Sequence, residues 1–129
     1  IFLNFMKSKK TILILNGSHS EIPLILCAKR MGLRVITTGN IPKQIGHKYS
    51  DKYIKADFSK KELILEIAKK NNIDFICPPA HDLGIITASY VAEKLKLPGF
   101  DNLKKTKIIH HKDKFKNFCR KIDLKTPKV

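Results

Sequence analysis

The feature that most constrains the fold is a regular alternation of short apolar runs with longer segments whose apolar residues recur at helical spacing. Four short runs rich in apolar and β-branched residues predict strands: residues 11–15 (TILIL), 33–38 (LRVITT), 53–57 and 73–77 (IDFIC). Three intervening segments predict helices: residues 21–31, 59–71 and 82–95. Strands that alternate with helices require crossover connections, so the sequence predicts a parallel sheet with helices on both faces.

The predicted fold class is α/β, a three-layer, doubly wound parallel sheet of Rossmann-like type with about five strands, the fifth being a remnant at residues 97–99. A short helical segment follows, with one or two helices expected within residues 103–122. The length of 129 residues suits one core. We expect three parts: a disordered stretch or extension at 1–9, the Rossmann-like domain at 10–110, and a helix and linker at 111–129.

Local signals predict where the helices begin and end. Proline is tolerated in a first helical turn, so Pro23 favours Ser20 over Ser18 as N-cap, with Glu21 at the first helical position. Gly32 is the expected stop of that helix. Further along the chain, two more helix starts are predicted from side chains that suit N-terminal caps: a Ser59 and Glu62 capping box, and an Asp82 cap.

The formal net charge of +15 raises the question of an anionic partner. The lysines are scattered, though denser after Lys104, and no arginine-rich arm or aromatic residues interleaved with basic ones accompany them. A solvated basic surface without specific nucleic acid is the favoured interpretation, and nucleic-acid binding driven by charge alone is the alternative. The initial IFLNFMKSKK is too short to span a bilayer, so no membrane partner is expected. Met6 is a candidate natural start, and the origin of residues 1–5 stays open.

Three cysteines occur without C-x-x-C spacing, at Cys27, Cys77 and Cys119. An odd number without that spacing favours neither a disulfide framework nor a zinc site. Reduced thiols in a cytoplasmic protein, each acting as a small apolar side chain in packing, are therefore expected.

Ligands of open parallel sheets bind outside the carboxyl ends of the strands, which selects two loops, residues 16–21 and 78–82. A dinucleotide site would need three spaced glycines in the first loop and an acid after the second strand. Gly17 stands alone, and the second strand ends at Thr38 and Gly39. NAD or FAD binding is therefore not expected.

The first loop carries a carboxylate where a phosphate would otherwise bind. Glu21 at a helix N-terminus would compete with a phosphate for the exposed amides, which favours an amine-bearing or hydroxylated ligand. The alternative, that Ser20 and Glu21 only stabilise the helix start, stays open. His19 and His81 would face one crevice, yet loop histidines without catalytic duty are commoner, so no catalytic residue is assigned. Adjacent histidines at 110–111 diverge on a helix, so no metal site is expected.

Four segments follow one another in a characteristic order: KTILILNGSHSEIPLILCAKRMGLRVITTGN, DKYIKADFSKKELILEIAKKNNIDFICPPAHD, VAEKLKLPGF and HHKDKFKNFCRKIDLKTP. In order and spacing they resemble the N-terminal third of ATP-grasp carboxylate-amine or carboxylate-thiol ligases. The resemblance covers nearly the whole chain from Lys10. It is strongest to the carbamoyl-phosphate synthase large subunit, biotin carboxylase and the purine-biosynthetic members.

The resemblance implies a nucleotide contact near the end of the chain. In that family a basic residue at the start of a helix reaches the ATP phosphates, and Lys112 holds that position here, with Lys114 as the alternative. Asp123 stands where the family has glycine and Lys125 where it has its first proline. The resemblance also implies an acceptor-substrate pocket formed by Gly17, Ser18, His19, Ser20, Glu21, Ala80, His81 and Asp82.

The resemblance further implies a parent ligase that uses ATP and Mg²⁺ to form an acyl phosphate, which an amine or another nucleophile attacks. The expected partners are a small-molecule acceptor substrate and downstream ATP-grasp lobes, and a homodimer is among the open oligomeric states. The chain alone is expected to be inactive and to bind neither ATP nor Mg²⁺ tightly. The alternative is a stand-alone Rossmann-like module that binds a small metabolite.

Overall fold

Four strands form one parallel sheet in the order β3-β2-β1-β4, in a computed structural model that describes residues 8–128. The strands are β1 (Thr11–Leu15), β2 (Arg34–Gly39), β3 (Lys52–Lys55) and β4 (Phe75–Cys77). β1 pairs with β2 on one side and β4 on the other. The parallel sheet is confirmed, with β1 at an interior position. Most of the predicted extension at residues 1–9 lies outside the described residues.

Within residues 8–128, five α-helices accompany the sheet: α1 (Ile22–Arg30), α2 (Lys61–Lys70), α3 (Ile85–Leu95), α4 (Leu103–His110) and α5 (Lys112–Lys121). Side chains alternate across a strand, so β1 contributes to two cores. Ile14 packs with Ile25 of α1 on one face, whereas Leu13 packs with Ile64 of α2 and Val91 of α3 on the other. The predicted three layers are confirmed.

The predicted fifth strand at residues 97–99 does not form, and the sheet of the described chain has four strands. α3 ends at Lys96 in the left-handed conformation, with φ of 54°, and Gly99 has φ of 95°. Pro98 lacks the amide hydrogen that a strand ladder needs, and left-handed residues on both sides turn the backbone out of an extended path. These residues therefore connect α3 to α4 as a loop.

The predicted stop of α1 is confirmed, whereas its predicted N-cap is wrong. Gly32 has φ of 77°, which glycine adopts without strain. Ser18, not Ser20, is the N-cap of a 3₁₀ turn at His19–Glu21 and forms a capping box with Glu21, and α1 begins one residue later. Pro23 is accommodated in the first turn of α1 all the same, because the 3₁₀ turn supplies the entry to the helix.

The other two predicted caps are also wrong. The Ser59 amide and hydroxyl donate to Oδ1 of Asp57, at 2.9 and 2.6 Å, so the serine belongs to a turn before the helix. α2 begins at Lys61 without a side-chain cap. Asp82 lies inside a second 3₁₀ turn, Asp82–Gly84, rather than capping α3.

Two of the three cysteines have the expected packing role. Cys119 is buried and Cys77 is half-buried against the α1 core. Cys27 is exposed, so its expected packing role is wrong. The buried residues of α1 are Ile25 and Ala28, which face the sheet, and Cys27 lies on a different side of the helix. Within residues 8–128, no helix is long and apolar enough to cross a membrane.

Candidate functional site

The loops that follow β1 and β4 lie at the carboxyl ends of these two strands, which are neighbours in the sheet. The chain leaves β1 toward α1 on one face and leaves β4 toward α3 on the opposite face. In open parallel sheets, ligands bind outside the carboxyl ends of the strands at such a switch point. The two loops selected from the sequence therefore meet at this switch point.

A single buried carboxylate joins the two loops. Glu21 is 0% exposed. Its Oε2 accepts hydrogen bonds from the backbone amide and hydroxyl of Ser18, at 2.8 and 2.6 Å, and from Nδ2 of Asn16 at 3.1 Å. Its Oε1 accepts from the backbone amide of Ala80, in the second loop, at 2.9 Å. We call this arrangement the Glu21 bridge.

The Glu21 bridge has a direct consequence for ligand chemistry. The amides of Ser18 and Ala80 are donors of the kind that bind a phosphate at a helix start, and the carboxylate already occupies both. A second anion at the same place would also meet the negative charge of the bridge. In the structure, Glu21 thus accepts hydrogen bonds from amides that a phosphate at this place would need.

A buried histidine that the sequence did not single out supports the first loop from the side of β2. His47 is 7% exposed and its Nδ1 lies 2.9 Å from Oγ1 of Thr37. Thr37 donates to the hydroxyl of Ser50, which donates to carbonyl oxygens at residues 47 and 52. Nε2 of His47 is buried, and no hydrogen-bond partner is found for it among residues 8–128.

The ring of His47 occupies the space that a side chain at position 17 would need. A Cβ added to Gly17 would lie 2.2 Å from Nδ1 of His47. The backbones also approach closely, since the Gly46 amide donates to the Gly17 carbonyl at 2.7 Å. Gly17 is thus required for packing against the loop that follows β2. No motif or spacing indicates His47; its position after β2 was the only available signal.

Burial of His47 predicts a pH dependence of stability. Burial lowers the pKa of His47 below its ordinary value of 6.5, although the Ile41 carbonyl and the negative charge of Glu21 oppose the shift. Below that ordinary value the unfolded chain binds a proton that the native chain does not. We expect the urea midpoint to be constant from pH 8 to about 6.5 and to decrease as the pH falls further.

The substitution His47→Gln should remove this decrease, because it leaves no titrating ring at the buried position. His111→Gln, at an exposed histidine, is the matched control and should retain it. An unchanged decrease in His47→Gln would assign the pH dependence to other groups.

A cleft of about 570 Å³ adjoins the loop after β4. It extends from that loop to the α3–α4 connection and is lined by Pro78, Pro79, Ala80, His81, Asp82, Ile85, Gly99, Phe100, Asp101, Thr106, Ile109 and His110. Three of the predicted substrate residues, those at 80–82, therefore lie in a cavity. His81 also packs against Phe58, with ring centroids 5.3 Å apart.

The remaining predicted site residues lie elsewhere. His19 and Ser20 are exposed on the first loop, and neither lines the cleft. Lys112 is the exposed first residue of α5, and Lys114 borders a separate depression on the α4–α5 surface. Across residues 8–128 the structure brings together no group of three metal-ligating side chains.

No protein-family model matches the chain. The 3-methyl-D-ornithine–L-lysine ligase of Methanosarcina acetivorans is 28% identical over 120 residues, which is 92% of this chain and 32% of that protein. The formate-dependent phosphoribosylglycinamide formyltransferase of Prochlorococcus marinus is 27% identical over 125 residues, 94% of this chain and 31% of that protein. The chain thus spans about a third of the length of the curated relatives it matches.

Solved structures of similar proteins share the fold. Phosphoribosylglycinamide synthetase from Anaerococcus prevotii superposes with a TM-score of 0.82 at 24% identity, over 92% of this chain and 30% of that one. L-amino acid ligase from Bacillus licheniformis has a TM-score of 0.71 at 18% identity, over 92% and 32%. The chain is therefore similar to ATP-grasp ligases over about a third of their length, and its fold matches the N-terminal α/β domain of such enzymes.

Proposed function

We propose that the chain is the substrate-side domain of an ATP-dependent carboxylate-amine or related ligase. The observation that carries the proposal is the Glu21 bridge, which joins the two loops at the sheet's switch point and leaves their amides unavailable to phosphate. The similarity to an L-lysine ligase and to a formyltransferase supports the reaction class. A cytoplasmic setting is part of the proposal.

In the proposed reaction ATP and Mg²⁺ would supply the activation: the γ-phosphoryl group would pass to the substrate carboxylate with release of ADP, and Mg²⁺ would stabilise the developing charge. The amine would then form the new bond to the carbonyl carbon, with loss of phosphate and of the amine proton. The contribution of this domain is to bind and orient the acceptor, chiefly through the loops at 17–21 and 80–82. Glu21 positions the two loops and does not contact the acceptor, because its oxygens already accept hydrogen bonds from both loops.

The two loops are poorly suited to bind the phosphates of ATP, because the amides of Ser18 and Ala80 already donate to the carboxylate of Glu21. Lys112 at the start of α5 is the residue proposed to reach the ATP phosphates, with Lys114 as the alternative. Both ammonium groups are exposed and free to meet a neighbouring lobe. We propose that such downstream lobes supply the remaining contacts to ATP and Mg²⁺.

Calorimetry of the 129-residue chain with ATP and Mg²⁺ tests this assignment. We expect no ATP hydrolysis and no binding in the micromolar range, because one exposed lysine contributes only a small part of such an affinity. Micromolar affinity would contradict the proposed division of labour. It would favour a stand-alone nucleotide-binding module.

The second arm of the test uses the full coding sequence. A longer protein that includes this domain should release phosphate from ATP only when both a carboxylate and an amine substrate are present. Lys112→Ala should raise the KM for ATP about two- to tenfold, whereas Lys125→Ala serves as the exposed-lysine control. Phosphate release that requires no amine would contradict the ligase assignment.

A further inference from the structure

The cleft beside the loop after β4 differs in charge from the rest of the molecule. The chain has 26 Lys and Arg residues against 11 acids, yet no Lys or Arg is among the residues found to line this cleft. Its acidic lining residues are Asp82 and Asp101, and the imidazoles of His81 and His110 lie beside them. On a surface where basic residues outnumber acidic ones, a cleft lined by two acids and by no Lys or Arg is not what random placement would give.

The two carboxylates are available to a ligand. Asp82 and Asp101 are both exposed, and neither forms a salt bridge within the described part of the chain. The Asp101 backbone carbonyl, by contrast, is engaged, since it accepts hydrogen bonds from the hydroxyls of Ser89 and Thr106. These bonds fix the backbone of Asp101 against α3 and α4, which limits the positions that its carboxylate can reach.

The rest of the lining is apolar. Ile85 of α3, Phe100 of the α3–α4 connection and Ile109 of α4 contribute side chains to the same cleft. The volume of about 570 Å³ falls in the range of small-molecule sites. Apolar walls with carboxylates suit a ligand that has an aliphatic body and a cationic end, and they disfavour a phosphorylated ligand.

We propose that this cleft binds the acceptor substrate through a primary ammonium group on an aliphatic chain, as a basic amino acid carries. Asp82 and Asp101 pair with the ammonium, and Ile85, Phe100 and Ile109 contact the methylene groups. The inference rests on the proposed function, since it names the substrate class for the part of the proposed site at residues 80–82. The lining disfavours a phosphoribosyl acceptor, because no Lys or Arg among its residues would balance the phosphate charge.

The test is an NMR titration of the 129-residue chain with three probes: L-lysine, L-norleucine and ribose 5-phosphate. Norleucine matches lysine apart from the terminal ammonium. Lysine should shift the amide resonances of Phe100 and Thr106 with a millimolar Kd, norleucine should bind about fivefold or more weakly, and ribose 5-phosphate should leave these resonances unchanged.

Charge-removing variants locate the ammonium. Asp82→Asn and Asp101→Asn should each weaken lysine binding roughly two- to fivefold, whereas Asp113→Asn, at an exposed acid of α5 outside the cleft, should not. Equal binding of norleucine, preferential binding of ribose 5-phosphate, unaltered affinity in both cleft variants or no binding of lysine would each overturn the inference. No nucleotide is present, so this result is independent of the ATP calorimetry that tests the proposed function.

Discussion

Replacement of Glu21 by Gln is expected to lower the free energy of unfolding by about 3 kcal/mol. All four groups that approach the carboxylate are hydrogen-bond donors: the Ser18 amide and hydroxyl, the Asn16 side-chain amide and the Ala80 amide. A glutamine brings its own NH₂ group to one of these positions. Two donors then face each other in a site that is 0% exposed, so at least one buried donor loses its partner.

The measurement is urea denaturation at pH 7, followed by circular dichroism. Glu66→Gln is the matched control, because Glu66 is an exposed residue of α2, and it should change stability by less than about 0.5 kcal/mol. Amide hydrogen exchange adds a local readout: the Ala80 amide should exchange faster in Glu21→Gln relative to the core amides of β1. Wild-type stability together with wild-type protection of Ala80 would show that the Glu21 bridge does not hold the two loops.

The substitution Gly17→Ala is expected to lower the free energy of unfolding by about 2 to 3 kcal/mol, although its backbone conformation does not require glycine. The cause is space, since the new methyl carbon would overlap the ring of His47. His47→Ala alone should also destabilise, because it opens a cavity beside Tyr53 and breaks the bond to Thr37. In the double variant the alanine methyl can enter the vacated space.

A double-mutant cycle therefore separates this contact from general damage to the loop. Gly17→Ala with His47→Ala should be more stable than the sum of the single effects predicts, by about 1 to 2 kcal/mol. Gly17→Ala with His81→Ala is the control pair, because His81 packs against Phe58 rather than Gly17, and its effects should add. Additive effects in the first pair would show that the ring of His47 is not what excludes a side chain at position 17.

The order of elements, the parallel sheet and the three layers could be predicted because side-chain periodicity is a local property of the sequence. The same holds for the stop at Gly32, where a left-handed residue ends α1. The same local patterns did not correctly predict the N-caps of the helices. Ser59 satisfies its hydroxyl with Asp57 two residues earlier, and Pro98 with Gly99 breaks what the apolar pattern suggested was a strand.

The candidate loops could also be predicted, because the carboxyl ends of parallel strands are known once the strands are known. Their chemistry could not. Glu21 was expected at a helix start, but its bond to Ala80 joins residues 59 positions apart in sequence. His47 has no local motif, and its role depends on Thr37 of β2 and on a glycine of another loop.

By itself, the sequence determined which segments become strands and helices, and it indicated the edge of the sheet where we propose that a ligand binds, because both follow from residue type and spacing along the chain. Only the tertiary structure decided which groups are buried together there. The anion-binding amides turn out to be occupied by Glu21, and the cleft beside them has carboxylates but no lysine. Those properties depend on contacts between distant segments, which the order of residues does not specify.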